Sequence, residues 1–243
     1  MLDATVIEQS PGADIDDRLR LVPGFTLFRR TSSLVANPTT QGVSLRGLGS
    51  TGASRTLVLW DAIPLNSPFG GWVYWTRIVP DELDRVEITE SASTSLFGDR
   101  AMGGAIAIFS REPDRQAGPG HLAFAYEGGN RGTNGIEASA SYLFKGRWAL
   151  TAVSRDFITD GWYIVPDSVR GPVDRRADLA FASGMLRADY LGAKDRIFLR
   201  GDVLAEDRDN GTSLQKNSTG TGTLAAAWPV LSVVRSETRG FGV

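Results

Sequence analysis

Residues 135–145 read Gly-Ile-Glu-Ala-Ser-Ala-Ser-Tyr-Leu-Phe-Lys and alternate between apolar and polar side chains. In an extended chain one face would carry Ile136, Ala138, Ala140, Tyr142 and Phe144, and the other would carry Glu137, Ser139, Ser141 and Lys145, with Leu143 as the exception. Because successive side chains of a strand point to opposite faces, this period of two predicts a β-strand with one apolar and one polar face.

The same pattern returns in the segments around this strand. Residues 196–206 place Ile197, Leu199, Val203 and Ala205 opposite Arg200, Asp202 and Glu206. Further strands are expected at 120–127, 147–155 and 179–191. Short turns, such as 145–146, alternate with long connections, such as 156–177, which is typical of an outer-membrane barrel. A soluble antiparallel sheet with one wet face shows the same alternation, so this half alone leaves both interpretations open.

The composition of the chain excludes several classes of protein. The 243 residues carry 26 basic and 28 acidic side chains, and a net charge of −2 argues against a dedicated nucleic-acid binder. There is no cysteine, which excludes disulfides and thiol catalysis, and the one histidine, His121, excludes a multi-histidine metal centre. No cofactor is expected.

The first half mixes short helices and strands. Asp14 is expected to cap a short helix that places Ile15, Leu19 and Val22 on one face. Strands are expected at 42–46, 55–60, 85–89 and 104–110, with a helical turn at 80–83 and a short helix at 91–97. The organisation predicted for the chain is therefore an α+β domain over residues 1–113, followed by an antiparallel sheet over residues 114–243.

Gly47-Leu-Gly-Ser-Thr-Gly52 matches the G-x-G-x-x-G pattern of dinucleotide sites. Such a site needs a helix directly after the glycines, where the helix N-terminus holds the pyrophosphate. Residues 55–60 are instead typical of a strand, which favours a glycine-rich hairpin tip. A nucleotide-dependent enzyme stays a rival hypothesis, and a helix directly after Gly52 would support it whereas a strand would dismiss it. A second glycine-rich stretch at 98–104 lacks the Lys-Ser/Thr ending of a P-loop.

Phe69-Gly-Gly-Trp-Val-Tyr-Trp75 contains four aromatic residues within seven positions. They cannot all lie on one face of a strand. The segment is either a packed loop or an exposed platform for a ligand, because aromatic rings offer a large contact area at low entropic cost.

Four ordered blocks of the first half resemble one known family. They are Gln41-Gly-Val-Ser-Leu-Arg-Gly47, Arg55-Thr-Leu-Val-Leu-Trp-Asp-Ala-Ile-Pro-Leu-Asn66, Asp84-Arg-Val-Glu-Ile88 and Ser95-Leu-Phe-Gly-Asp-Arg-Ala-Met-Gly-Gly-Ala-Ile-Ala-Ile108. Together they are similar to the plug domain of TonB-dependent outer-membrane receptors, and residues 19–24 resemble the helix that leads into that domain. The second half then resembles the first strands of the family's barrel.

The resemblance implies an α+β plug inside a 22-stranded antiparallel transmembrane barrel in the bacterial outer membrane. Its implied function is energy-coupled uptake of a scarce small ligand, a siderophore, corrinoid or similar chelate, and not catalysis. The implied partners are TonB, outer-membrane lipid and the ligand. About five or six barrel strands are expected in this chain, which would make it a fragment of a receptor. The alternative is a soluble periplasmic α+β adaptor, in which Ile136, Tyr142 and Phe144 would be covered by protein.

The resemblance also implies which residues act. Ligand contacts are expected on two plug tips, formed by Ser50, Thr51 and Ser54 and by Asn66, Phe69, Trp72, Tyr74 and Trp75. Arg46 and Glu87 are expected to pair plug with barrel. The sequence departs from the family at Asp61-Ala62, where the family has Asp-Gly. It also departs at Glu90, which stands in place of an arginine.

Overall fold

The computed structural model describes residues 1–29, 31–47, 54–92, 94–98, 100–111, 120–192, 195–228 and 231–242. The chain divides into two compact units, Met1–Glu112 and Pro113–Val243, and each is described by itself. None of the described helices has the length and apolar character needed to cross a membrane.

The first unit combines short strands with short helices. Its strands are β1 (Leu2–Asp3), β2 (Thr26–Leu27), β3 (Val43–Ser44), β4 (Leu57–Trp60), β5 (Ile63–Pro64), β6 (Leu83–Thr89) and β7 (Ala105–Ser110). Its helices are α1 (Ala4–Gln9), α2 (Ile15–Leu19) and α3 (Thr94–Phe97), with 3₁₀ turns at Pro38–Thr40, Trp75–Arg77 and Pro80–Glu82. Five strands form one sheet in the order β1-β6-β7-β4-β5, and β2 pairs with β3.

The core of the first unit lies around its two central strands. Strand β4 is buried along its whole length and pairs in parallel with β7, as expected for a strand that reads as a continuous apolar run. The buried Trp60 donates its indole N–H to Ser110 Oγ at 2.8 Å, and the Ser110 hydroxyl donates to Asp61 at 2.7 Å. Trp60, Ser110 and Asp61 therefore form a short hydrogen-bonded chain that satisfies the buried indole N–H.

The turn between β4 and β5 contains one of the departures from the family's sequence. Asp61 and Ala62 have φ angles of 49° and 66°, and they join the paired residues Trp60 and Ile63. Two consecutive positive φ values define a type I′ hairpin turn, in which the second position favours glycine. Ala62 therefore occupies a strained backbone conformation.

We expect Ala62→Gly to raise the free energy of unfolding by about 1 kcal/mol, because glycine adopts positive φ without a steric penalty. Urea unfolding followed by tryptophan fluorescence measures the change. Ala205→Gly, at an exposed strand position of the second unit, is the control and should lower stability instead. A loss of stability in Ala62→Gly would contradict the strain assigned to the turn.

Helix α2 differs from its predicted cap. The helix begins after Asp14, but the Asp14 side chain makes no capping hydrogen bond. Its carboxylate instead accepts a hydrogen bond from Ser33 Oγ at 2.9 Å. Ile15 and Leu19 are fully buried on one face, as predicted, whereas Val22 lies beyond the end of the helix and is half-buried. Asp14 is therefore recruited to a tertiary contact, since a buried hydroxyl competes with the helix terminus for the carboxylate.

The second unit is one antiparallel sheet of seven strands in sequential order. The strands are β8 (Gly120–Gly128), β9 (Asn134–Phe144), β10 (Trp148–Tyr163), β11 (Arg176–Leu191), β12 (Arg196–Asp209), β13 (Lys216–Trp228) and β14 (Leu231–Gly242), with a 3₁₀ turn at Asp167–Val169. The five strands read from the sequence are all present. Strands β10 and β11 extend into the long connection predicted at 156–177, so that the observed connection covers only residues 164–175.

Two strands, β13 and β14, lie beyond those that the sequence pattern identified. Residues 216–228 are rich in Ser, Thr and Gly and lack the apolar–polar contrast on which the prediction depended. They form β13 because β12 offers an unpaired edge, along which twelve residue pairs from Phe198↔Ala227 to Asp209↔Lys216 are in register. Pairing with a neighbour therefore outweighs the weak local preference of the segment.

Candidate functional site

In the second unit the polar face of the sheet is buried and the apolar face is exposed, which is the reverse of a soluble sheet. Arg200 and Asp202 are buried, whereas Leu199 and Val203 on the other face are 51% and 61% exposed. Ile136, Tyr142 and Phe144, which the adaptor hypothesis would cover, are 45%, 49% and 48% exposed. An outward apolar face of this extent suits a hydrocarbon solvent rather than water.

Charged residues on the buried face neutralise one another, some within one strand and some between neighbouring strands, as Arg155 does with Glu137. Three ion pairs join residues two positions apart, which lie on the same face of a strand: Arg187–Asp189, Arg200–Asp202 and Arg208–Glu206, with separations of 3.0, 3.2 and 2.8 Å. Burial of a charge is costly unless it is paired and hydrogen-bonded. These pairs therefore offset the cost of burying charged side chains on the polar face of the sheet.

Aromatic rings mark both ends of the exposed apolar face. Tyr142 and Phe144 pack edge to face at 4.5 Å beside the 145–147 turn, and Trp148 lies 4.8 Å from Tyr190. At the opposite strand ends, Tyr126 and Trp162 are also exposed. Girdles of amphipathic rings at two levels are typical of strands that meet a lipid–water interface twice.

In the first unit the predicted aromatic segment forms a tight loop. We call residues 66–75 the aromatic loop. An isolated bridge between Asn66 and Val73 closes it, Ser67 N donates to Trp72 O at 2.8 Å, and Gly71 N donates to Ser67 O at 2.9 Å. The loop's own hydrogen bonds therefore tie its two ends together.

The rings of the loop divide between surface and core. Phe69 is 95% exposed and meets the partly exposed Trp72 edge to face, with ring centroids 6.1 Å apart. Trp72 lies over Gly70 so closely that a Cβ there would come within 1.5 Å of the indole ring. Tyr74 is half-buried. The aromatic surface is thus made by Phe69 and Trp72, and a side chain at position 70 would displace the indole from its present place.

Two of the residues predicted to contact ligand have structural roles instead. Trp75 is 1% exposed and packs edge-on against Phe25, with the ring centroids 6.3 Å apart. Asn66 is buried, accepts a hydrogen bond from Val58 N at 2.7 Å, and donates to Thr56 O and Gly71 O, each at 3.1 Å. Because the Asn66 amide is occupied by backbone groups, it braces the loop.

Ser54 connects the second predicted tip to the aromatic loop. Its backbone N donates to Gly71 O at 3.2 Å, and its hydroxyl accepts from Val43 N at 2.9 Å. Ser50 and Thr51 lie outside the described residues. The element that follows the glycine pattern is strand β4, whereas a dinucleotide site needs a helix there. This removes the support for a nucleotide-dependent enzyme.

Arg46 and Glu87 each have a partner inside the first unit. The Arg46 guanidinium donates to the Glu90 carbonyl oxygen at 3.0 Å, and Glu87 accepts from Arg85 Nε at 2.8 Å. Their pairing with a barrel stays a prediction. Sequence reasoning did not identify Arg100, which donates to the Ser67 and Pro68 carbonyl oxygens. No local pattern links residues more than thirty positions apart.

In the part of the chain that the structure describes, no group of three or more His, Cys, Asp or Glu side chains is arranged to hold a metal ion. The exposed part of the aromatic loop is instead apolar, with Phe69 at 95% exposure.

Comparisons with known proteins agree with this architecture. Residues 1–105 match the family described as the TonB-dependent receptor plug domain. Among curated proteins, the ferric enterobactin receptor PirA of Pseudomonas aeruginosa is 28% identical over 122 residues, which are 46% of this chain and 16% of that receptor.

Solved structures share the fold across both units. The siderophore receptor PiuA from Acinetobacter baumannii superposes with a TM-score of 0.68 at 15% identity, covering 99% of this chain and 36% of its own. The copper transporter OprC gives a TM-score of 0.70 at 18% identity, covering 92% of this chain and 33% of its own. This chain thus spans about a third of the length of these two structures. Residues 1–105 are thus similar to the plug domain of TonB-dependent receptors, and the chain shares its fold with these two solved structures.

Proposed function

We propose that this chain is the plug and part of the barrel of a bacterial outer-membrane receptor that takes up a ferric siderophore or a similar metal chelate. Such a receptor binds and transports its ligand and does not transform it. The aromatic loop would form one part of the binding surface, through Phe69, Trp72 and Tyr74, and the tip at Ser50, Thr51 and Ser54 would form the other.

The observation that carries this proposal is the exposure of Phe69 on a closed, braced loop. A phenyl ring that is 95% exposed contributes little to folding, whereas a rigid backbone beneath it reduces the entropy lost on binding. An exposed aromatic pair offers a large apolar contact area for the organic shell of a chelate, which a bare ion would not use. The names of the relatives PirA and PiuA, which include ferric enterobactin and siderophore, support this choice of ligand class.

The outward apolar face of the second unit supports an outer-membrane location, with lipid as its partner. Transport through a plugged barrel needs an energy source. The proposed source is TonB, the partner named in the description of the matching plug family. We infer that a segment of the receptor would bind TonB by adding a strand to it, the mode in which main-chain hydrogen bonds give affinity.

Replacing the exposed rings should weaken ligand binding without unfolding the chain. We expect Phe69→Ala and Trp72→Ala each to weaken binding of ferric enterobactin by about tenfold, as for truncated aromatic anchors that cost more than 1 kcal/mol. Isothermal titration calorimetry of the full chain in detergent measures the affinity. Leu21→Ala, which removes another exposed apolar side chain of the same unit, is the matched control and should bind as the wild type does.

Two results would overturn the proposal. One is unchanged affinity in both aromatic variants, which would remove the loop from the binding surface. The other is a wild-type chain that binds free Cu²⁺ or a corrinoid but none of a panel of ferric siderophores, which would replace the ligand class.

A further inference from the structure

Arg100 joins the aromatic loop to a distant segment of the first unit. Its Nη1 donates to Ser67 O at 2.9 Å, and its Nη2 donates to Pro68 O at 3.2 Å. The two carbonyl groups are successive in the chain and directly precede Phe69. A planar guanidinium presents its donors as a rigid fork, so that one side chain fixes two neighbouring peptide units.

The position of the Phe69 ring is set mainly by the backbone that carries it. The ring is almost fully exposed, and its described ring contact is the edge of Trp72. The hydrogen bonds within the loop fix Ser67, Gly71 and Trp72, on either side of the exposed ring. Arg100 binds the carbonyl oxygens of the two residues directly before Phe69. One of them, Pro68, takes part in none of the loop's own backbone hydrogen bonds.

We propose that Arg100 is a positioning residue for the aromatic loop, which holds the backbone before Phe69 so that the Phe69–Trp72 pair is preformed for its ligand. This inference rests on the proposed function of the loop as a binding surface. Arg100 itself does not touch the ligand. Hydrogen bonds from a charged donor are roughly twice as strong as neutral ones, which suits a clamp at a half-buried position.

The first arm of the test measures the loop without any ligand. Lysine keeps the charge of Arg100 but cannot form the fork, so Arg100→Lys should speed hydrogen exchange at the amides of Ser67 and Gly71 by about tenfold. Mass spectrometry of a peptide spanning residues 66–73 reads this change. Arg18 also donates to two backbone carbonyl groups of the same unit, Ile7 O at 3.1 Å and Gly12 O at 3.3 Å, although these two are not successive in the chain. Arg18→Lys is therefore the matched control and should leave that peptide unchanged.

The second arm asks whether Arg100 acts through Phe69. With ferric enterobactin as the probe and the full chain in detergent, Arg100→Lys should weaken binding by about fivefold, and the weakening should vanish in a Phe69→Ala background. Such non-additivity identifies residues that act as one unit. A purely structural arginine would weaken both backgrounds equally.

The outcomes separate this inference from the proposed function. Unchanged exchange in Arg100→Lys, or faster exchange with unchanged affinity, overturns the role of Arg100 and leaves the proposed function standing. Equal weakening with and without Phe69 also overturns that role. A wild-type chain that binds no ferric siderophore overturns the proposed function, and with it the ligand for which Arg100 would position the loop.

Discussion

Asp16→Asn should make the first unit more stable than the wild type at pH 8 and flatten the dependence of its stability on pH. Asp16 is fully buried, and burial, followed by the nearby charges of Asp14 and Asp17, raises its pKa from 3.8 to about 7. Ser33 Oγ lies 2.9 Å from Asp14 and 2.6 Å from Asp16. One hydroxyl proton serves only one of these two carboxylates, and a proton held on Asp16, whose pKa is raised, lets both contacts be hydrogen bonds.

The direction of the effect is set by proton binding. In the unfolded chain Asp16 loses its proton near pH 3.8, whereas in the folded chain it keeps the proton up to about pH 7. The wild type should therefore lose stability as the pH rises from about 4 through about 7, by an amount on the order of 4 kcal/mol. Asparagine resembles the protonated acid, because its amide can donate to Ser33 Oγ while its oxygen accepts from Ser33 N, which lies 3.1 Å from Asp16 Oδ2.

Urea unfolding of the two proteins between pH 4 and pH 8 provides the measurement. Asp3→Asn, at an exposed helix cap of the same unit, controls for the removal of a carboxylate outside the cluster. Arg20, which lies 3.7 Å from Asp16, loses a partner in the variant, but it keeps Asp17 at 3.2 Å. Parallel pH profiles for the wild type and Asp16→Asn would show that no proton is shared at this site.

Trp75→Ala should lower the free energy of unfolding by about 3–5 kcal/mol, the usual cost of removing a buried large aromatic side chain. Trp75 is 1% exposed and packs against Phe25, so its loss leaves a cavity in the core. Phe69→Ala, six positions earlier and on the surface, should change stability by less than about 0.5 kcal/mol. The two variants thus separate the structural from the ligand-facing part of one aromatic segment.

Chemical denaturation gives the stability of each variant, and calorimetry with ferric enterobactin gives the affinity of any variant that folds. If Trp75→Ala were to unfold like the wild type while losing affinity, Trp75 would return to the binding surface that the sequence pattern indicated. The assignment of this ring to the core depends on the opposite result.

Much of the fold could be predicted from local patterns. The alternation in residues 135–145 and 196–206 identified strands and the two faces of each, because side-chain direction in a strand depends on the period of two alone. The apolar run at 57–60 identified β4. Strand β13 escaped prediction, since its small polar residues form a strand only when a neighbouring edge is present.

The candidate site was predicted less completely. The aromatic cluster at 69–75 was found because four rings in seven residues are unusual in any strand, yet the same letters did not reveal which rings face outward. Asn66 and Trp75 were grouped with the ligand contacts, whereas the structure uses them as a brace and as core. Exposure depends on what packs against a residue, which its sequence neighbours do not specify.

By itself, then, the sequence determined the properties that depend on a few neighbouring residues: the two-faced strands and the short turns that join them. Only the tertiary structure decided the contacts between distant segments. It brought Arg100 to the carbonyls before Phe69, turned Asp14 from a helix cap to Ser33, and buried Asp16 beside it. The physical reason is that a strand or turn is specified by dihedral angles and side-chain period within a few residues. A hydrogen bond or a buried charge is instead specified by which parts of the folded chain meet.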